Sequence, residues 1–313
     1  MRDIVILTDS TSDLSQELIE KYNVKIVPLH VSFPGDDKDY KDGVDIDSEK
    51  VYKKVEECGN TPKTGAINLV EFIDTFKKYI DDDKDILMVT IGDQLSSTYN
   101  NAVLASREYE EGRIEVINSM SLSTGEGLLV VKGAELIKEG KTLKETAEEL
   151  RRLVPLVSAK FCIDRLDFLF KGGRCSGMTK VLAAMLKIHP VAKMINGKLT
   201  VYKKPRGAYI KAVDEQINEF IHDFEENNID TSCVFVTDSG HMDGEDKYIV
   251  EKLSKYVDPT NIHQTRAGCV VSSHCGPKTI GILYILKKWL KQKKRCANRT
   301  SFLKFIQLRF LNS

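Results

Sequence analysis

The sequence lacks the marks of several large protein classes. Its seven cysteines, Cys58, Cys162, Cys175, Cys233, Cys269, Cys275 and Cys296, include no C-x-x-C pair. An odd number without paired spacing disfavours a zinc site or a disulfide framework. Several lie in apolar runs, where cysteine acts as a small hydrophobe. No G-x-G-x-x-G, G-x-x-x-x-G-K-[ST] or H-E-x-x-H occurs, so nucleotide-binding and metalloprotease readings lose their usual support. G-x-S-x-G is missing too, which disfavours a nucleophile-elbow hydrolase. Gly172-Gly173-Arg174 is too short for a phosphate loop. No apolar run is long enough to cross a bilayer. The N-terminus, MRDIVILTDSTSDL, reads as a first strand rather than a signal peptide. The cytoplasm is the expected compartment, and neither cofactor nor metal is expected.

Net charge is also missing, with 46 basic and 46 acidic residues. The balance hides an asymmetry. Nine Lys or Arg and no Asp or Glu fall between Lys287 and Arg309, and without them 37 basic residues face 46 acidic ones. A body of that sign is a poor nucleic-acid binder, because phosphate contacts dominate such affinity. With 313 residues and a hydrophobic fraction of 42%, the chain is expected to build two domains with buried cores.

Along residues 1–155, strand and helix patterns alternate. Strands are expected at Ile4–Leu7, Ile86–Ile91 and Ile114–Ile117, and an extended segment at Val24–Phe33. Helices are expected at Leu14–Tyr22, Ser48–Glu57, Asn68–Ile80, Thr98–Glu110 and Thr124–Glu139. Asn68 with Glu71, and Thr142 with Glu145, have the spacing of capping boxes. Asp36–Asp47 reads as an acidic loop. Such alternation predicts an α/β fold with a mostly parallel sheet covered by helices. Pro155 marks the expected boundary, giving domains at 1–155 and 156–288, with 289–313 a basic extension. In the second domain, Met178–Ile188 carries a helical apolar stripe, and Asn196-Gly197 sits between apolar runs as a hairpin turn. Tyr209–Phe224 and Lys247–Tyr256 read as helices, and Ser232–Thr237 as a strand.

The most informative stretch is Gln264–Leu286. Cys269, Val270 and Val271 read as a strand, and Ile280–Leu286 as a buried helix with Pro277 in its first turn. That places His274 at a strand's carboxyl end and a helix's amino end, where open α/β sheets bind ligands and free N–H groups favour an anion. A capping or core histidine is the alternative, and the stretch alone does not separate the two. Other polar loops follow or precede strands: Thr8–Asp13, Thr61–Gly65 and Gly92–Thr98. In the first, Ser12 and Asp13 read as helix cap and turn. In the third, Ser96 or Ser97 caps the next helix or faces a ligand. Hydroxyls and an imidazole converging at strand ends suit a small anion such as a carboxylate.

Five motifs then fall in a familiar order. ILTDSTSDL at 6–14, PKTG at 62–65, LSSTYNNA at 95–102, FKGGRCSG at 170–177 and SSHCGPKTIG at 272–281 together resemble the bacterial DegV family, over roughly residues 1–288. The resemblance implies two α/β domains with a long-chain fatty acid held between them. It implies a role without catalysis, as in the fatty-acid-binding subunits of bacterial fatty acid kinase, which present the acyl carboxylate to a separate kinase subunit. By position, Thr64, Ser96 and His274 would bind the carboxylate. Arg174 and Arg206 match arginines near the head group and partner surface, with ordinary surface ion pairing as the alternative. Gly65 stands where the family usually has serine. Ser97 stands where it usually has glycine, at the pocket mouth, so a positive φ is expected there.

Two further readings accompany the carrier. In one, Ser96 or Thr64 is activated by His274 for acyl transfer or hydrolysis, although no acid suggests itself to orient the imidazole. In the other, the chain is a lipid sensor. Met178, Leu182 and Met185 lie on one helical face, either packing a core or lining the acyl tail. The extension 289–313 mixes basic and bulky apolar residues. It is either a nonfunctional addition or a transient contact to anionic membrane lipid.

Overall fold

The computed structural model describes residues 2–176 and 188–288. In chain order the first elements are β1 (Ile4–Asp9), α1 (Gln16–Lys21), β2 (Lys25–Val27), β3 (His30–Ser32), β4 (Asp39–Lys41) and α2 (Ser48–Cys58). They are followed by β5 (Lys63–Gly65), α3 (Leu69–Asp81), β6 (Asp85–Thr90), α4 (Thr98–Ser106), β7 (Ile114–Asn118), α5 (Thr124–Lys138) and α6 (Leu143–Leu153). The second half supplies β8 (Val157–Cys162), α7 (Leu166–Gly172), β9 (Cys175–Ser176), β10 (Val191–Ile195), β11 (Lys198–Lys203) and α8 (Ile210–Glu225). It ends with β12 (Ile229–Asp238), α9 (Glu245–Leu253), β13 (Ile262–Arg266), α10 (Cys269–Cys275) and β14 (Ile280–Leu286).

Three sheets result among the described residues. The first has the order β2-β1-β6-β7, and every pairing in it is parallel. Parallel strands need helical crossovers, and the alternation of the first half supplies them. Helix α3 starts where expected: Glu71 N–H donates to Asn68 Oδ1 at 3.0 Å, and Asn68 N–H to Glu71 Oε2 at 2.9 Å. Thr142 and Glu145 close the same reciprocal cap on α6. Each cap is worth about 1 kcal/mol. The second sheet has seven strands, β13-β12-β14-β8-β10-β11-β9, and is mixed. Its β10–β11 hairpin turns at Asn196 and Gly197, both with positive φ, 50° and 75°. A small antiparallel sheet, β4-β3-β5, carries Thr64 on an edge strand.

Helix α5 joins the two large sheets. Residues Thr124 to Val131 are all buried, which fits a helix covered on every side. It packs on β1 and β6 of the first sheet and on β8, β12 and β14 of the second. One apolar core therefore runs from Ile6 and Leu87 through Leu128 and Leu129 to Phe161, Phe235 and Leu283.

Several expectations are corrected. Cys269–Val271 is the start of a helix, and Ile280–Leu286 is a strand, the reverse of the sequence reading. Strand β14 lies between β12 and β8 with Ile280 to Ile285 all buried. A strand covered on both faces reads as a continuous apolar run, so alternation could not identify it. The β-branched pair Val270-Val271 is helical because tertiary contacts hold the start of α10, which outweighs its strand propensity. Pro277 lies in a bend between the two elements, not in a first helical turn. The acidic loop Asp36–Asp47 contains β4, and the helix expected to reach Glu110 ends at Ser106. The stripe Met178, Leu182 and Met185 and the extension 289–313 lie outside the described residues.

Candidate functional site

A cavity of about 390 Å³ opens where the parallel sheet, the small sheet and α10 meet. Its polar wall includes Thr64, Asp93, Ser96, Ser97, Arg174 and His274. Its apolar wall includes Leu29, Leu122, Leu169, Leu199, Val270 and Val271. A second void of about 30 Å³ shares Leu122, Leu169, Leu199, Val271 and Cys275 with it, and adds Phe161, Ile163 and Ala267. Apolar walls with a few convergent donors are the general pattern of a small-molecule site.

His274 sits in the last turn of α10, not at the amino end of a helix. Its Nε2 is 2.8 Å from Thr64 Oγ1, across 210 residues of sequence. Burial, and then the positive charge of Arg174, pull its pKa down to about 4. The ring is therefore neutral near pH 7, with one nitrogen donating and the other accepting. Its Nδ1 is buried against Gly172 without an aligned hydrogen bond. A Cβ at Gly172 would stand 2.5 Å from Nδ1, so a side chain there would displace the imidazole. Arg174 Nη1 donates to the Gly172 carbonyl at 2.9 Å. That bond fixes the α7 turn beside the histidine.

Ser96 Oγ shares a hydrogen bond with Thr98 Oγ1 at 2.9 Å and accepts from Thr98 N–H at 3.3 Å. It thus helps cap α4 and still lines the cavity. Ser97 has φ −76°, so no positive φ is required and its side chain causes no strain. Gly65 lies beside His30, whose Cβ would be 3.1 Å from an added Cβ, so a serine there would crowd the small sheet. Arg206 is exposed and does not line the cavity. The structure therefore brings Thr64, Ser96, Ser97, Arg174 and His274 to one wall and leaves Arg206 outside it.

Sequence reasoning missed the acids that hold this wall. Asp42 accepts from Cys269 N–H at 2.7 Å, from Val270 N–H at 3.3 Å and from Ser10 Oγ at 2.9 Å. Asp13 accepts from Gly268 N–H at 2.8 Å and from Ser123 Oγ at 2.6 Å. Neither Ser12 nor Asp13 caps α1; Ser15 does. Asp9 accepts from Ile91 N–H at 2.8 Å, just before the Ser96 loop. All three carboxylates are buried, and burial pushes Asp9 up to about 6 and Asp13 up to about 8. The signal for Asp42 was weak, since nothing distinguishes it within an acidic loop. Glu126 was more visible, as a lone acid in the otherwise apolar and small-residue run GEGLLVV.

A family model described as "Uncharacterised protein, DegV family" matches residues 3–287. A DegV domain-containing protein of Caldanaerobacter subterraneus is 32% identical over 289 residues, covering 91% of this chain and 99% of that one. A DegV family protein from Thermus thermophilus, described for its fatty acid binding, has a TM-score of 0.81 at 30% identity. That match covers 91% of this chain and all of the other, 100%. A stearic acid-binding protein from Eubacterium ventriosum has a TM-score of 0.79 at 28% identity, covering 90% and 98%. No helix among the described residues is long and apolar enough to cross a membrane.

Proposed function

Because the chain belongs to the DegV family, we propose that it binds a long-chain fatty acid. The carboxylate would sit at Thr64, Ser96 and His274, and the acyl chain along the apolar wall. The observation that carries this reading is the convergence of those three side chains on one cavity with an apolar remainder. Neutral His274 offers an N–H, and the two hydroxyls offer O–H donors. Arg174 adds a positive charge on the same wall. In the empty site Thr64 and His274 satisfy each other, and a carboxylate would replace that contact with charge-assisted bonds. Each methylene withdrawn from water would contribute about 0.8 kcal/mol. The ligand would lie between the halves 1–155 and 156–288, since α10, α7 and β11 face the first-half loops across the cavity.

The carboxylate end lies beside exposed Ser97, Gln94 and Arg174. That placement suits presentation of the head group to a separate kinase subunit, with no catalysis by this chain. The enzyme reading is less well supported by the geometry. Ser96 pairs with Thr98 and not with the imidazole, which leaves Thr64, in contact with His274, as the one hydroxyl that reading could use. A histidine near 4 is a weak base at neutral pH, and among the described residues no carboxylate orients its Nδ1. Mass spectrometry of lipid extracted from the purified protein tests the proposal. A long-chain fatty acid at near one per chain is expected. Recovery of only sugar or nucleotide, or hydrolysis of acyl esters by the pure protein, would overturn it.

A further inference from the structure

Glu126 lies on α5 with no exposed surface. Its Oε1 accepts from Thr8 Oγ1 at 2.6 Å. Its Oε2 lies 3.1 Å from Thr11 Oγ1. Thr11 Oγ1 also lies 2.5 Å from Asp9 Oδ1. A hydroxyl has one hydrogen, so Thr11 cannot donate to both carboxylates. If it donates to Asp9, the closer one, Glu126 Oε2 faces only an oxygen lone pair. A proton on Glu126 Oε2 resolves this. Glu126 then donates to Thr11, and Thr11 donates to Asp9.

The surrounding charges agree. The acids that act on Glu126 are Asp9 on the β1 side and Asp13 on the loop after it; Asp9, at about 6, carries negative charge near pH 7, whereas Asp13, at about 8, is largely protonated there. Asp42, from the end of the small sheet, adds to the negative field at Asp9 and Asp13. Among the described residues no Lys, Arg or His pairs with any of these four acids. Isolated charge in such a place is costly, and a carboxyl group takes up a proton instead. Burial first, then the charge of Asp9, hold Glu126 well above the usual carboxylate range. Asp9 is better placed to ionise, because Thr11 N–H, Thr11 Oγ1 and Ile91 N–H all donate to it.

We propose that Glu126 is a positioning residue kept as a neutral carboxylic acid. Its proton orients Thr11, Thr11 orients Asp9, and Asp9 holds the Ile91 amide that begins the loop carrying Ser96. The functional half of this rests on the reading that Ser96 receives the ligand carboxylate. The relay reaches the site through backbone: Ile91 lines the cavity, and Ser96 N–H closes the loop on the Gly92 carbonyl at 3.2 Å.

Glu126→Gln and Glu126→Leu test it on the full chain. A glutamine copies the neutral acid, with Nε2 donating to Thr11 and the oxygen accepting from Thr8. Three readouts are taken: stability against pH, amide exchange of residues 91–96, and affinity for a long-chain fatty acid. In the wild type the folded state keeps a proton that the unfolded chain releases above the ordinary carboxylate range. Wild-type stability therefore falls relative to Glu126→Gln as pH rises, by about tenfold in the folding equilibrium per pH unit. Glu126→Gln is expected to show that pH-dependent advantage, unchanged exchange and affinity within about twofold. Glu126→Leu is expected to speed exchange at 91–96 and weaken binding. Should it not fold, Thr11→Ala breaks the same relay with a smaller change. A Glu126→Gln protein that loses the same stability at every pH and exchanges faster at 91–96 would overturn the proposal, because Glu126 would then be ionised. If the pH and exchange results hold while no variant and no wild type binds fatty acid, the proton assignment stands and the ligand reading fails.

Discussion

His274 shows how one side chain links stability to binding. Its folded pKa, near 4, lies below the ordinary histidine value because burial and Arg174 both disfavour the imidazolium. Between those two values the unfolded chain binds more protons than the folded one. Stability is therefore complete above about pH 6.5 and is lost as pH falls toward 4. In His274→Ala that part of the acid sensitivity is expected to disappear, as read by denaturant melts from pH 7 to 4. The same variant is expected to fold and to bind fatty acid more weakly by about 1.5–3 kcal/mol, the usual value of a hydrogen bond to a charged group. Unchanged affinity in a folded His274→Ala protein would remove the imidazole from the head-group site. Thr64, Ser96 and His274 were legible as candidates because motif order pointed to them. Asp9 was not, and Glu126 stood out only as a lone acid without a partner, since a buried proton relay depends on which side chains meet across 118 residues.

At the scale of elements, sequence patterning succeeded where helices end with local signals and failed where burial is two-sided. Asn68 with Glu71 marked the start of α3 through chemistry confined to four residues. The Asn196-Gly197 turn marked the β10–β11 hairpin in the same local way. Nothing local marks α10. It is seven residues long, holds Val270 and Val271, and has no side-chain cap from its own preceding residue. Its free amides at Cys269 and Val270 are satisfied by Asp42, more than 220 residues away in sequence. Helix α10 is thus stabilised by tertiary capping, and Asp42 is its main anchor. Asp42→Ala would leave buried donors unpaired at about 1–3 kcal/mol each. Faster amide exchange at 269–275 and a lower Tm are expected, with exchange in α3 unchanged as an internal control. Unaltered exchange at 269–275 would show that packing alone holds the helix. Because α10 carries His274, weaker fatty-acid binding is expected to accompany the loosening.

At the scale of the molecule, two sheets share one buried helix, and the cavity lies among loops contributed by both halves. The parallel sheet was legible from the strand–helix alternation of the first half; the helix shared by two sheets was not. The mixed order of the second sheet was not, because antiparallel neighbours such as β14 and β8 are far apart in sequence. The described body closes at Lys288, where Lys287 N–H donates to the Asn228 carbonyl at 2.9 Å and Lys288 N–H to Asn228 Oδ1 at 3.0 Å. The family match ends at residue 287, and 91% of this chain spans 99% of its Caldanaerobacter relative. A relative of that length contains the whole matched body without a counterpart to most of residues 289–313. Truncation after Lys288 is therefore expected to leave fatty-acid affinity and Tm unchanged. The basic residues it removes have a separate test. Each could add roughly 1 kcal/mol of attraction to an anionic surface at low salt. Full-length and truncated protein are expected to sediment equally with anionic and neutral vesicles. Stronger, salt-sensitive sedimentation of the full chain on anionic vesicles would assign the extension to membrane contact. Lost fatty-acid binding in the truncated protein would place the extension within the binding body.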